Sequence, residues 1–229
     1  MTCVLLAFLA PRLLPVAPTR TVHAPVRGRW IALNSPATRV PSHGLRAYGQ
    51  AYAIDLAYEP AEHTRPAFGG EPMRAAQEYP GLGQPVLAMI DGTVVKASDW
   101  RRDHRARSNL LGVVYLLVEA AIRELGGPGF VIGNQVTIRG DDGVYATVAH
   151  LQRGSLTVGV GERVTAGQRI GNCGNSGNST EPHVHAQLMD RASLWTGQGV
   201  PMAFRAISLD DQPEPIDGLP RNNQHMTAI

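Results

Sequence analysis

Short stretches in which apolar residues alternate with polar ones, or run together without a break, recur along the chain between clusters of Gly, Asp, Asn and Pro. Arg29-Trp30-Ile31-Ala32-Leu33 predicts a first short strand. The segments 51–56, 85–95, 134–139, 144–149, 155–158 and 183–189 predict further strands, because β-branched or alternating runs bounded by turn formers suit a pleated, half-buried surface. Many short strands at close spacing predict a mainly β domain, an antiparallel sandwich or a barrel-like arrangement. One segment breaks the pattern. Residues 109–125 lack strict alternation and are followed by Gly126-Gly127-Pro128, which reads as a helix stop, so an inserted helix is predicted there. Its apolar surface can cover the sheet, wall a groove or touch a membrane. Packing on its own domain is the expectation, since buried helices outnumber interfacial ones.

The chain starts with an apolar stretch, residues 1–18, that is broken by Pro11 and Arg12 and is too short for a spanning helix of ~20 residues. It lacks a basic start, so a signal for export, a membrane anchor and a disordered leader stand as alternatives. Repeated prolines (Pro11, Pro15, Pro18, Pro25) mark a linker. The organisation expected is a leader and linker over 1–25, one folded domain over 26–209 and a loose polar tail over 210–229.

Composition sharpens this picture in three ways. With 25 Gly, 17 Pro and 17% charged residues the chain suits a turn-rich globular protein, not a disordered or long-helical one. A net charge of only +2 gives no field that would argue for nucleic acid, although its sign suits an anionic polymer such as a bacterial cell wall. Cys3 and Cys173 are far apart and form no CxxC pair, so any metal site must draw on His and carboxylates. Cys173 has no adjacent base and reads as a small buried residue.

The strongest chemical signal is Pro182-His183-Val184-His185-Ala186-Gln187-Leu188. In a strand, residues i and i+2 point to the same face, so two imidazoles project side by side, as a metal site requires. An isolated HxH pair is also compatible with ordinary partly buried histidines. Two further features strengthen the metal reading: His150 ends the alternating run of residues 144–149, and Asp55 sits inside the apolar run Tyr52-Ala53-Ile54-Asp55-Leu56. A buried carboxylate needs a partner, either a cation with imidazole co-ligands or an arginine.

Five pieces in order, Gln84–Val95, Gly133–Ile138, Ala149-His150-Leu151, Val158–Gly171 and Asn175–His185, together resemble the lysostaphin-like, LytM-type zinc peptidoglycan endopeptidases over roughly residues 43–190. The resemblance implies a duplicated hybrid motif fold and a zinc ion held by two His and one Asp. The second His of HxH, His185, and the strand carboxylate Asp55 are then metal ligands, while His183 and His150 act on the water and the transition state. Such a centre would keep an open position for water, as catalytic zinc does. The implied substrate is a peptide of peptidoglycan, and the implied location is extracytoplasmic, with membrane contact through the N-terminal segment.

Two departures stand out. The family spaces its first ligand as His-x-x-x-Asp, but Ala51 occupies the position four before Asp55. His43, in a loop directly before the Asp55 strand, is the preferred substitute, and His63, in a segment that reads as solvated surface, is its competitor. Val148 stands where many relatives carry Tyr, so no role of that Tyr transfers. His23, His104 and His225 lie outside recognisable elements and are expected to be exposed. Two other readings remain: a non-catalytic cell-wall binding or hydrolase-regulating module on the same fold, and a biotinyl- or lipoyl-carrier-like domain. The second is disfavoured because the only lysine, Lys96, is in no suitable turn.

Overall fold

The computed structural model describes residues 16–210 and 212–229; the start of the apolar leader, residues 1–15, lies outside the described residues. In chain order the strands are β1 (Arg20–Val22), β2 (Gly28–Asn34), β3 (Ile54–Tyr58), β4 (Pro85–Leu87), β5 (Gly92–Ser98), β6 (Gln135–Gly140) and β7 (Tyr145–Ala149). They continue with β8 (Arg163–Val164), β9 (Arg169–Asn172), β10 (Val184–Met189), β11 (Gly199–Val200), β12 (Met202–Leu209), β13 (Gln212–Gly218) and β14 (His225–Ala228). The large sheet runs β1-β12-β14-β2-β3-β10-β7-β6-β5-β8, with β11 added to β10 and β13 to β12, while β4 and β9 pair in a small separate sheet.

The mainly β expectation holds, but the sheet is mixed and open. β1 pairs with β12 in parallel, and the path ends at β1 and β8 without closing into a barrel. β8 has only two residues, too few hydrogen-bonding groups to seal a seam. The sheet folds over instead, and the segment after β1 bonds to the small sheet through Leu87 N to Pro25 O (2.8 Å) and His23 N to Met89 O (2.9 Å).

Period-two alternation sorts the central strands into two faces. Ile54 and Leu56, Val184, Ala186 and Leu188, Ala146 and Val148, and Val136 and Ile138 all enter the main core, where Trp30, Phe204, Met226 and Ile207 are also sealed. Each large apolar side chain so buried contributes about 1.5–3 kcal/mol. The opposite face of the same strands carries Asp55, His185, Gln187 and Thr147, so the core and the polar site lie on opposite faces of one central sheet layer.

The expected strands over 29–33, 134–139, 144–149 and 183–189 form with small shifts of boundary. The run 85–95 divides into β4 and β5 around a bend at residues 89–91, and 155–158 forms no strand, meeting β9 through Thr157 N to Ile170 O (3.2 Å), Thr157 Oγ1 to Arg169 O (2.9 Å) and Asn172 N to Ser155 Oγ (3.0 Å). The expectation of a loose tail is corrected. β13 pairs with β12, and β14 lies between β12 and β2 with Met226 fully buried. The sparse apolar residues of this stretch gave no signal, because its strands are placed by backbone hydrogen bonds to β12 and β2, which every residue can make.

The inserted helix is α1 (Leu110–Leu125), capped by Asn109, whose side chain accepts from Gly112 N at 3.0 Å; a short α2 (Pro128–Ile132) follows. Its expected packing is reversed. Of its large apolar residues only Leu116 is buried, and the helix is seated by Glu119, which binds Arg107 at 2.5 Å and Arg123 at 3.2 Å. Where a helix of this composition would be expected to turn leucines inward, this one turns its ion pairs inward.

Candidate metal centre

β10 is the middle of the site because it is paired on both sides. His185 lies directly opposite Asp55 of β3 and Ala149 of β7, so the cross-strand register alone brings the imidazole and the carboxylate together. His185 Nδ1 is 2.8 Å from Asp55 Oδ1. His183 enters from just before β10, its Nε2 3.6 Å from the same oxygen. His150 follows β7 with φ of 60°, a left-handed backbone that turns its ring back over the sheet, 4.8 Å from the His183 ring by centroids.

His43 reaches Asp55 by a different route. Ser42 N donates to Ala51 O (3.0 Å), and Ser42 Oγ donates to Gln50 O (3.2 Å), pinching the base of an excursion that spans residues 43–50. Tyr48 and Gly49 turn the chain with φ of 61° and 74°. Gly49 is required on space as well as angle: a Cβ there would stand 2.5 Å from Met189 Sδ. The outcome is that His43 Nε2 lies 2.9 Å from Asp55 Oδ2, although twelve positions separate the residues. His63 is exposed and apart from this cluster. Ligand-type atoms of His43, Asp55 and His185 all lie within 4.8 Å of one another, the grouping among the described residues that could hold a metal ion.

The donor set suits such an ion. Metal-binding imidazoles characteristically fasten their second nitrogen to an outer partner. Here His43 Nδ1 lies 2.9 Å from Ser42 Oγ, and His185 Nε2 lies 2.8 Å from Gln187 Oε1. Gln187 is itself held, its Nε2 donating to Tyr48 O at 2.9 Å. His150 Nδ1 donates to Ser176 O and His183 Nδ1 to Glu181 O, each at 2.8 Å. All four rings thus have one nitrogen tied outward. Asn34 Nδ2 donates to Asp55 Oδ2 (2.8 Å) and steadies the carboxylate.

Charge follows from this packing. Burial alone would raise the Asp55 pKa, but the charges of His43 and His183 and hydrogen bonds from His183 and His185 outweigh it and hold the carboxyl well below its ordinary range. Burial, reinforced by the positive charges of His183 and His185, holds His150 well below the usual imidazole value. For His183 burial opposes protonation, but the nearby Asp55 carboxylate overcomes it and raises the pKa.

Ser42, Asn34, Ser176, Glu181 and Gln187 were not singled out from the sequence. Only Gln187 carried a signal, as the residue two beyond His185 and so on the same face. The remaining histidines are not exposed as expected. Half-buried His23 lies 2.6 Å from Ala24 O through Nδ1, His104 lies 2.8 Å from Gly177 O, and His225 sits between Glu59 (2.7 Å) and Asp210 (3.0 Å). For His104 and His225 the partners come from segments distant in sequence, which is why spacing did not reveal them. Cys173 is fully buried, its thiol pKa pushed up chiefly by burial.

Comparison with known proteins gives a match of residues 76–199 to the family described as Peptidase family M23. That span includes His150, His183 and His185, while His43 and Asp55 lie upstream of it. The glycyl-glycine endopeptidase ALE-1 of Staphylococcus capitis is 38% identical over 127 residues, 55% of this chain and 27% of that protein. Lysostaphin of Staphylococcus simulans is 42% identical over 89 residues, 38% of this chain and 17% of that protein. The aligned part therefore spans about a quarter or less of these curated relatives. Among solved structures, the catalytic domain of the antimicrobial peptidase lysostaphin from Staphylococcus simulans shares 20% identity, with 76% of this chain and 88% of that chain covered at a TM-score of 0.40.

Proposed function

Since the chain belongs to peptidase family M23, matched over residues 76–199, we propose that it is a zinc-dependent metalloendopeptidase that cleaves peptide bonds in peptidoglycan cross-links or stem peptides. The observation that carries this reading is the outward tethering of four imidazoles around one buried carboxylate. The similarity to a glycyl-glycine endopeptidase supports the choice of a peptide bond, and an extracytoplasmic location goes with a cell-wall substrate.

His43, Asp55 and His185 would hold the zinc, which when bound polarises a carbonyl and brings the pKa of water toward ~7. His150 and His183 do the proton work. With Nδ1 of each ring given to a backbone carbonyl, Nε2 is the nitrogen turned toward the centre, and Ser176 and Glu181 hold the rings in that orientation. One Nε2 accepts the proton of the attacking water, and the other, on a ring protonated at both nitrogens, donates to the oxyanion that develops on the scissile carbonyl. Asn34 and Gln187 take no part in proton transfer and keep Asp55 and His185 in place.

The test compares the wild-type chain with His185→Ala on purified cross-linked muropeptides with zinc supplied. Cleavage by the wild type and its loss in the variant are expected. Equal cleavage by both proteins rejects the reading, and bound zinc without cleavage by the wild type would favour a binding or regulatory module.

A further inference from the structure

The ion pairs that seat α1 leave its other side bare. Leu111, Val114, Leu117, Val118, Ile122 and Leu125 are between 57% and 90% exposed, and at 100° per residue they spread over about 140° of the helix circumference. Glu119 and Arg123 point the opposite way, into contacts with Arg107 and Asn178, so Glu124 is the one exposed acidic group on α1. Isolated exposed leucines need no explanation, but a contiguous face of this kind marks a surface that meets something apolar.

What surrounds this face indicates its occupant. At the C-terminal end, the Phe130 ring packs where a Cβ of Gly126 would stand, Trp100 meets Phe130 edge to face at 6.2 Å, and Trp195 lies beside Gly127. The two indoles are 61% and 69% exposed. Arg101 stacks on both Trp100 and Phe130, and two further arginines of the same segment, Arg102 and Arg105, are exposed, Arg105 with its Nε bonded to Met73 O at 2.8 Å. Exposed indoles beside arginines, at the edge of a broad leucine face, have the chemistry of a membrane interface, where rings sit at headgroup depth and guanidiniums meet lipid phosphates.

We infer that α1 and the aromatic cluster at its C-terminal end form a docking face for an anionic lipid bilayer. The helix has 16 residues, and among the described residues no helix is long and apolar enough to cross a membrane, so α1 would lie in the plane of the interface. A second copy of the chain fits less well. Helix pairing uses a narrow seam of positions, and the exposed arc here is far wider than such a seam, whereas acyl chains cover a wide arc without register. Arg123 also bonds Asn178, in the loop between Ser176 and His183 (3.4 Å), so the docking face flanks the candidate metal centre and would hold it close to the membrane. The inference does not depend on the proposed peptidase activity.

The test is co-sedimentation of the purified full chain with phosphatidylcholine vesicles, with and without phosphatidylglycerol. Binding to the anionic vesicles is expected, at least about tenfold weaker for V118D/I122D and also weakened for R102E/R105E, whose substitutions leave the apolar face intact. Unchanged thermal melting of both variants is the control, since all four positions are partly or fully exposed. No sedimentation of the wild type would overturn the inference. Equal binding by both variants would do so as well, and would assign the contact to another part of the chain, such as residues 1–15. A concentration-dependent dimer that V118D/I122D abolishes would replace the membrane with a second copy.

Discussion

The backbone N–H of Ser42 bonds the carbonyl of Ala51 at 3.0 Å, and this contact closes an excursion of the chain that brings His43 Nε2 within 2.9 Å of Asp55 Oδ2, twelve positions further on. The loop between them, residues 43–50, is pinched off at its base.

His43 is therefore expected to be a ligand and His63 a bystander. His43→Ala should lower zinc content well below one equivalent and reduce peptide cleavage at least about 100-fold, since loss of even an outer partner costs 10–100-fold. His63→Ala should match the wild type in both. Metal analysis after gel filtration, read beside a cleavage assay, decides it, and the opposite ranking of the two variants would refute the assignment.

Gln187 is expected to tune the centre without touching the ion, because it holds His185 Nε2 and is anchored to Tyr48 O. Gln187→Ala should weaken zinc affinity by about 10–100-fold, in addition to the loss of about 1–3 kcal/mol of stability that an unpaired Tyr48 O brings to the zinc-free protein. Competition against a fluorescent chelator measures it. Unaltered affinity would show that the hydrogen bond has no hold on the ligand.

Gly49 tests the excursion itself. Gly49→Ala places a methyl 2.5 Å from Met189 Sδ at a φ of +74°, so a loss of about 1–3 kcal/mol is expected, together with weaker metal binding as His43 is displaced. Denaturant unfolding and zinc titration read the two effects separately, and a variant as stable as the wild type would show that the loop re-forms around the methyl.

Glu119 gives a pH-dependent prediction remote from the metal. Burial would raise its pKa, but the hydrogen bond from Arg107 and the charges of Arg123 and Arg107 outweigh it, so the folded value is lowered. A lowered folded value means that the contribution to stability is complete above the unfolded pKa of ~4.3 and disappears as pH falls through the folded one. Glu119→Gln should cost about 1–3 kcal/mol at neutral pH. The gap to the wild type should narrow as pH falls below the unfolded value of ~4.3 and close as it passes the folded one. Parallel unfolding curves at several pH values check it; a constant gap would contradict the ion pair's role.

The strands that carry the site were legible because period-two alternation is a local property, and β10 and β7 appear in the sequence nearly as they appear in the fold. β14 was illegible for the complementary reason: its place between β12 and β2 depends on backbone groups that every residue possesses. The helix was legible in position and illegible in orientation. Its leucines announce a helix, but only the meeting of Glu119 with Arg107, twelve positions earlier and in a loop, shows which side turns inward.

The sequence by itself determined the chemistry available to this protein: a pair of imidazoles two positions apart, a third ending an alternating strand, a carboxylate in an apolar run, and no cysteine pair to compete for a metal. Those facts follow from residue type and local periodicity. The tertiary structure alone decided which further histidine joins them, which oxygens and amides fasten each ring, and which side of α1 faces water. Such choices depend on contacts between segments far apart in the chain, and local pattern carries no information about the turns, register and packing that bring those segments together.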